Sequence, residues 1–161
     1  MKSLFLLFFV FFFTSNTTLV EVRKLYPNAT SSEAKAQELF SKLTAITAES
    51  DKTLVAYKGA SITLMSKFCK KIPEKISKFK EGVKWVEQAV TADPTNIEIR
   101  MIRLSIQENV PGIVNYKKNK KEDAAFIVEH YGEQTANLKE YIKNFCLQAT
   151  TFNNQEKQTF K

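Results

Sequence analysis

The chain has 161 residues, 43% hydrophobic and 25% charged, and 24 Lys and Arg against 17 Asp and Glu give it a net charge of +7. That length suits one domain and suffices for a core, since about 150 residues hide roughly 70% of the surface of the unfolded chain. Four Gly and four Pro exclude collagen-like and low-complexity classes.

The 13 Phe are unevenly spread: Phe5, Phe8, Phe9, Phe11, Phe12 and Phe13 crowd the first thirteen positions. Lys2, the apolar run Leu4–Phe13 and the polar exit Thr14–Thr18 have the layout of a signal peptide. Ten residues rise about 15 Å as a helix, half of what crossing a membrane requires. Residues 1–18 are therefore expected to be a leader, with the mature chain beginning near Thr17 and ending up periplasmic or secreted. No second apolar run of spanning length follows, so no transmembrane segment is expected in the mature part.

Residues 19–149 read as a single all-α domain of about six antiparallel helices. Period-two alternation is nearly absent, and Gly and Pro cut the chain into helix-length pieces. A first helix follows Asn28–Ser32, capped by Ser31 or Ser32, with Leu39, Leu43 and Ile46 on one face. A second starts after Asp51. It carries Leu54, Tyr57, Leu64 and Phe68 on one stripe and Val55, Gly59, Ile62, Met65 and Cys69 on another, so it should be buried on a wide arc. A third has Pro73 in its first turn, and Ile72, Ile76, Phe79, Val83, Val86 and Val90 recur at spacings of four and three as far as Asp93-Pro94. A fourth runs from about Thr95 or Asn96 to Asn109, a fifth covers Lys120–Tyr131, and a sixth after Gly132 carries Leu138, Tyr141, Ile142, Phe145 and Ala149. The polar tail, residues 150–161, is expected to be disordered.

Phe79–Asn96, FKEGVKWVEQAVTADPTN, resembles the second helix and closing turn of a tetratricopeptide repeat. Gly82 and Ala89 fall where that family places small residues for close helix contact, and Pro94 falls at its turn proline. Gly59 could be the small residue of the preceding helix, although the family's Trp, Leu and Tyr positions there are not filled. The resemblance implies stacked α-hairpins with a concave face for peptides or proteins. Over Tyr57–Asn119, the pieces AYKGA, FKEG and NIEIRMIRLSIQENVP are similar to a family of small exported helical proteins of Bacteroidetes-type bacteria, which implies export and an α fold and no particular activity.

Two cysteines, Cys69 and Cys146, have two readings. An exported protein favours one disulfide, and closing a loop of about 78 residues would stabilise by roughly 4 kcal/mol in the chain-entropy model. Alternatively both are buried thiols at apolar helix positions. With His130 the only histidine, neither a zinc site nor a redox motif is expected, and no cofactor is implied.

The chain has 21 Lys and only three Arg: Arg23, Arg100 and Arg103. Asn96, Arg100, Arg103 and Gln107 share one stripe of the fourth helix. A guanidinium offers a planar fork of donors suited to carboxylates. The stripe is either a polar groove for an anionic ligand or a partner's carboxylate, with Tyr57 and Tyr116 as further candidates, or a set of internal ion pairs with Glu74, Glu81, Glu87 or Glu98. Trp85 is either an exposed anchor for a partner or packed on a neighbouring helix. Lys67, Lys70, Lys71, Lys75, Lys78, Lys80 and Lys84 form a basic region, and Lys117, Lys118, Lys120 and Lys121 a second knot. Lysines interleaved with a helical apolar period read as a solvated face or as a contact for an anionic surface. Nucleic acid is not an expected partner. Asn28-Ala29-Thr30 is a glycosylation sequon that matters only in a eukaryotic source.

Together these features suggest an exported, non-catalytic binding or scaffold module of the cell envelope, whose partner is another envelope protein or a peptide. One alternative is a small envelope enzyme or accessory subunit built around His130, which would need partners at fixed geometry. Another is binding to an anionic membrane surface through the lysine-rich region.

Overall fold

The computed structural model of the chain describes residues 17–161. Positions 1–16, which hold nearly all of the expected leader, and the side chain of Ile113 lie outside the described residues. The described part is all-α: α1 (Leu19–Leu25), α2 (Glu33–Lys42), α3 (Lys52–Ser66), α4 (Ile72–Ala92), α5 (Ile97–Asn109), α6 (Lys120–His130), α7 (Ala136–Gln148) and α8 (Asn154–Gln158). Short 3-10 turns follow α1, α5 and α6. No helix among the described residues is long and apolar enough to cross a membrane.

The starts of the helices follow from local chemistry. The side chains of Ser32, Asp51 and Asn96 accept hydrogen bonds from the first free N–H groups of α2, α3 and α5, groups that no helix can satisfy internally. Pro73 occupies the first turn of α4, where a missing N–H costs nothing.

α3 is the central helix. Eleven of its 15 residues are buried, and it packs on α1, α2, α4 and α5. Three of its buried hydroxyls are satisfied within the helix: Ser61, Thr63 and Ser66 donate to the carbonyls of Lys58, Ala60 and Thr63. α3 and α4 approach each other closely at two glycines. A Cβ on Gly59 would lie 2.6 Å from the Gly82 carbonyl oxygen, and one on Gly82 would lie 2.6 Å from the Gly59 carbonyl oxygen. Gly59 meets Val86 while Gly82 meets Thr63, so the two helices run antiparallel with their backbones in contact. Trp85 of α4 is half-buried, with the Lys58 ammonium 4.6 Å from its ring centre.

Two expectations are corrected. The six anticipated helices omit α1 and α8, which bring the described total to eight. The tail is folded rather than disordered. Glu108 accepts from the Thr151 backbone N–H at 2.6 Å and from the Thr151 hydroxyl. Asn153 and Glu156 form a capping box for α8, and Phe152 and Phe160 are buried. Phe160 stacks edge-on against both Phe152 and Tyr131, with ring centres 5.3 and 5.0 Å apart. Two aromatics are enough to anchor a twelve-residue polar segment because each removes a large apolar area from water. Of the two readings of the cysteines, the structure has the thiols: Cys69 and Cys146 are both free, Cys69 is half-buried and Cys146 is buried at 0% exposure.

Candidate functional site

The arginine stripe of α5 is consumed by the protein's own carboxylates. Arg103 Nε donates to Asp123 Oδ2 at 2.7 Å and its Nη2 to Asp123 Oδ1 at 2.6 Å, a bidentate fork. Its Nη1 reaches Glu87 at 3.1 Å. Arg100 donates to Glu122 at 2.6 Å, to Asp123 at 3.0 Å and to the Pro94 carbonyl at 2.9 Å. Asp123 is wholly buried and Arg103 is 4% exposed. Burial by itself lowers the pKa of Arg103, but the hydrogen bonds and charge of Asp123, joined by Glu87, reverse this and raise it. Hydrogen bonds from Asn119 and Arg100 depress the carboxyl of Glu122. Of the internal partners anticipated for this pair, Glu87 is present. Asp123 and Glu122 on α6 are additional partners that the spacing of α5 does not reveal.

The other candidates lie elsewhere. Asn96 caps α5 and donates to Thr53 and Asp93. Gln107 is fully buried, and neither end of its amide has a hydrogen-bond partner. Tyr57 belongs to a different cluster. Its hydroxyl lies 2.7 Å from Glu98 Oε1 and 3.0 Å from the Tyr141 hydroxyl. Glu98, 2% exposed, also accepts Nε and Nη2 of Arg23 at 2.7 and 2.6 Å. That bond to Glu98 raises the Arg23 pKa against the opposing effect of burial, and burial lifts the phenol of Tyr57 well above its ordinary range. No local sequence signal groups Arg23, the third arginine, with these candidates, because its partner is 75 residues away.

Beside this cluster opens a half-open cleft of about 1450 Å³. Its walls come from the end of α1, the last turn of α3, the first half of α4, the second half of α5, the 3-10 turn at Gly112–Val114, and α7. Most of the lining is hydrocarbon: Leu64, Phe79, Val83, Met101, Ile106 and Phe145 are representative. A few polar groups interrupt it. Tyr26 and Ser105, joined through their hydroxyls at 2.6 Å, line the wall together with Arg23 and Tyr141. Lys67, Lys75 and Lys80 are exposed where α3 and α4 run out toward their connecting turn.

The cleft exists because the apolar stripe of α4 outruns its cover. Val86 and Val90 are buried, Phe79 and Val83 are half-buried, and Ile76 and Ile72 are exposed, at 43% and 71%. The stripe, read as a uniform core face in sequence, is core at one end and cleft wall at the other. Tyr116, a further candidate, shares this region: it packs edge-on against Phe79, with ring centres 6.0 Å apart, and donates to Glu87 at 2.5 Å.

His130 lies at the end of α6, outside the cleft lining. Its Nδ1 is 3.1 Å from Glu133, and its ring packs on Phe126 with centres 4.2 Å apart. Among the described residues no three His, Cys, Asp or Glu side chains gather as a metal site. In comparisons with known proteins, no family model, no curated protein and no solved structure matches the chain.

Proposed function

We propose that the protein is an exported, non-catalytic binding module whose cleft holds a long acyl chain ending in an anionic group. The observation that carries this reading is the cleft itself: hydrocarbon walls, lysines along one edge and a small polar cluster on the wall. Its volume of about 1450 Å³ exceeds the ~300–1,000 Å³ usual for small-molecule pockets. Most of the wall is helix, whose backbone groups are paired internally, so it offers hydrocarbon contact and few main-chain partners. That suits an alkyl chain better than an extended peptide, which would bring two unpaired polar groups per residue. Lys67, Lys75 and Lys80 supply the complementary charge for a carboxylate or phosphate. Export rests on the leader layout of residues 1–18. The facing pair Gly59 and Gly82 supports the tetratricopeptide-like reading of the α3–α4 hairpin.

Titration with dansyl-undecanoate tests the reading, with displacement by oleate and by lysophosphatidylglycerol as separate arms. Displacement by oleate alone identifies a free carboxylate ligand, and displacement by the lysolipid alone identifies a lipid headgroup. Val83→Trp, which fills the cleft, is expected to weaken binding at least tenfold. Lys75→Glu/Lys80→Glu is expected to weaken oleate and spare uncharged oleyl alcohol. Failure of both ligands to displace the dye, with displacement by an acidic amphipathic helical peptide, would overturn the acyl reading in favour of a protein partner.

A further inference from the structure

The turn between α3 and α4 carries charge beyond that of the cleft edge, since Lys70 and Lys71 do not line the cleft. Lys67, Lys70, Lys71 and Lys75 are all exposed there. Lys71 pairs with Glu74 at 3.4 Å, with both side chains mostly in water. Among these ammonium groups sit Ile72 and Ile76, one helical turn apart on α4 and, with Val20, the exposed large hydrophobics of the described residues. Single exposed apolar residues are ordinary. Two on one helix face, ringed by lysines and continuous with the open end of an apolar cleft, form the pattern of a segment that lies in a membrane interface.

We propose that this turn docks the protein on an anionic bilayer. Lys70, Lys71 and their neighbours face the lipid phosphates, while Ile72 and Ile76 enter the boundary between headgroups and acyl chains. In this orientation the cleft opens toward the bilayer, which places a source of acyl chains at its mouth. Only that last step rests on the acyl reading; docking rests on the turn. The charge is of the right sign and is local: a juxtaposed Lys strengthens attachment to an anionic surface about fivefold. A folded protein partner is less well matched, because its approach would bury several flexible ammonium groups for a small apolar contact.

The test is sedimentation of the full chain with phosphatidylglycerol vesicles and with phosphatidylcholine vesicles, at low and high salt. Binding is expected to the anionic vesicles only and to weaken as salt rises. Lys70→Glu/Lys71→Glu, neither of which lines the cleft, is expected to weaken vesicle binding by more than tenfold while leaving dansyl-undecanoate binding unchanged. Ile72→Asp is expected to weaken vesicle binding about tenfold with no change in melting temperature, because the side chain is already mostly in water. Lys35→Glu/Lys139→Glu on α2 and α7 is the charge-matched control and is expected to reduce binding much less. Equal binding to neutral vesicles, or losses no greater for the turn variants than for the control, would overturn docking. Vesicle binding that survives when no acyl ligand enters the cleft would sustain docking and sink the acyl reading instead.

Discussion

Gly59→Ala and Gly82→Ala place a methyl group where the backbones of α3 and α4 meet. At Gly59 the new Cβ would lie 2.6 Å from the Gly82 carbonyl oxygen and 2.8 Å from the Val86 backbone nitrogen; at Gly82 it would lie 2.6 Å from the Gly59 oxygen and 2.7 Å from the Thr63 nitrogen. Ordinary contact begins at 3.4 Å, so each methyl is about 0.8 Å too close to backbone that cannot rotate away. The helices must separate. Overpacking of this kind costs about 1–3 kcal/mol, and backbone obstacles on both sides argue for the upper half of that range. Alanine regains about 1 kcal/mol of helix propensity over glycine. The expected net loss is therefore about 1–2 kcal/mol per substitution, a fall of roughly 3–8 °C in Tm. The double variant should lose less than the sum of the two, because one methyl already opens the space the second occupies. Gly112→Ala and Gly132→Ala, whose Cβ would meet nothing within 4 Å, are controls expected to be neutral or slightly stabilising. Thermal melts of these variants beside the parent chain decide the matter. A rise in Tm for Gly82→Ala, as propensity alone requires, would show that α3 and α4 do not touch here.

Asp123→Ala should be the most damaging single polar change, because it leaves Arg103 buried without its fork; we expect a loss of about 3–5 kcal/mol by urea unfolding, with Arg103→Met/Asp123→Leu recovering much of it. Gln107→Leu should do the opposite, since removing a buried amide that has no partner relieves about 1–3 kcal/mol of desolvation, and a lower Tm would mean that the amide is satisfied. Both cysteines should alkylate in denaturant without prior reduction, whereas in the native protein Cys146 should react far more slowly than Cys69, because burial pushes its thiol up to about 12. Stability should decline in alkali: burial lifts the Tyr26 phenol from 10.0 to about 12 and the Cys146 thiol from 9.0 to about 12, so the unfolded chain releases these protons first. Their contribution is then whole below about pH 9 and lost as pH rises through about 12. Phenolate absorbance that grows smoothly from pH 10 in a still-folded protein would contradict this.

Much of the helical layout is legible in the sequence because its signals are local. Asp51, Pro73 and Asn96 mark helix starts by chemistry confined to one turn, and the period of α4 is readable over six apolar residues. α1 and α8 escape such a reading even though both carry the same local signature: Thr18 with Glu21 and Asn153 with Glu156 are capping boxes, three residues apart. Both are short and α8 is wholly polar, and the anchoring of the tail depends on Phe152 and Phe160 meeting Tyr131, a tertiary event. The arginine partners are legible in type but not in identity. Asp123 stands at the start of a helix, where an acid is expected beside the positive end of the dipole, and nothing in the local sequence says that it is buried. The cleft is the least legible feature. Ile72 and Val90 belong to the same spacing series, and which end of the stripe is covered depends on where α5 and α7 stop.

The placement of the cations makes physical sense of the chain's bias for lysine. Arg23, Arg100 and Arg103 each face a carboxylate held at a fixed position, and two of those carboxylates, Glu98 and Asp123, are buried. A rigid fork of donors suits a fixed carboxylate, because it forms two parallel bonds with little loss of side-chain freedom. Replacing Arg23 or Arg103 with Lys would leave one oxygen of its carboxylate without that donor. The cleft edge and the α3–α4 turn carry only Lys. A flexible, strongly hydrated ammonium can follow a headgroup whose position varies, and it gives up little hydration to do so. The three arginines are thus consumed in holding α1, α5 and α6 in register, and the charge left over for a ligand is lysine, arrayed where the apolar stripe of α4 emerges from the core.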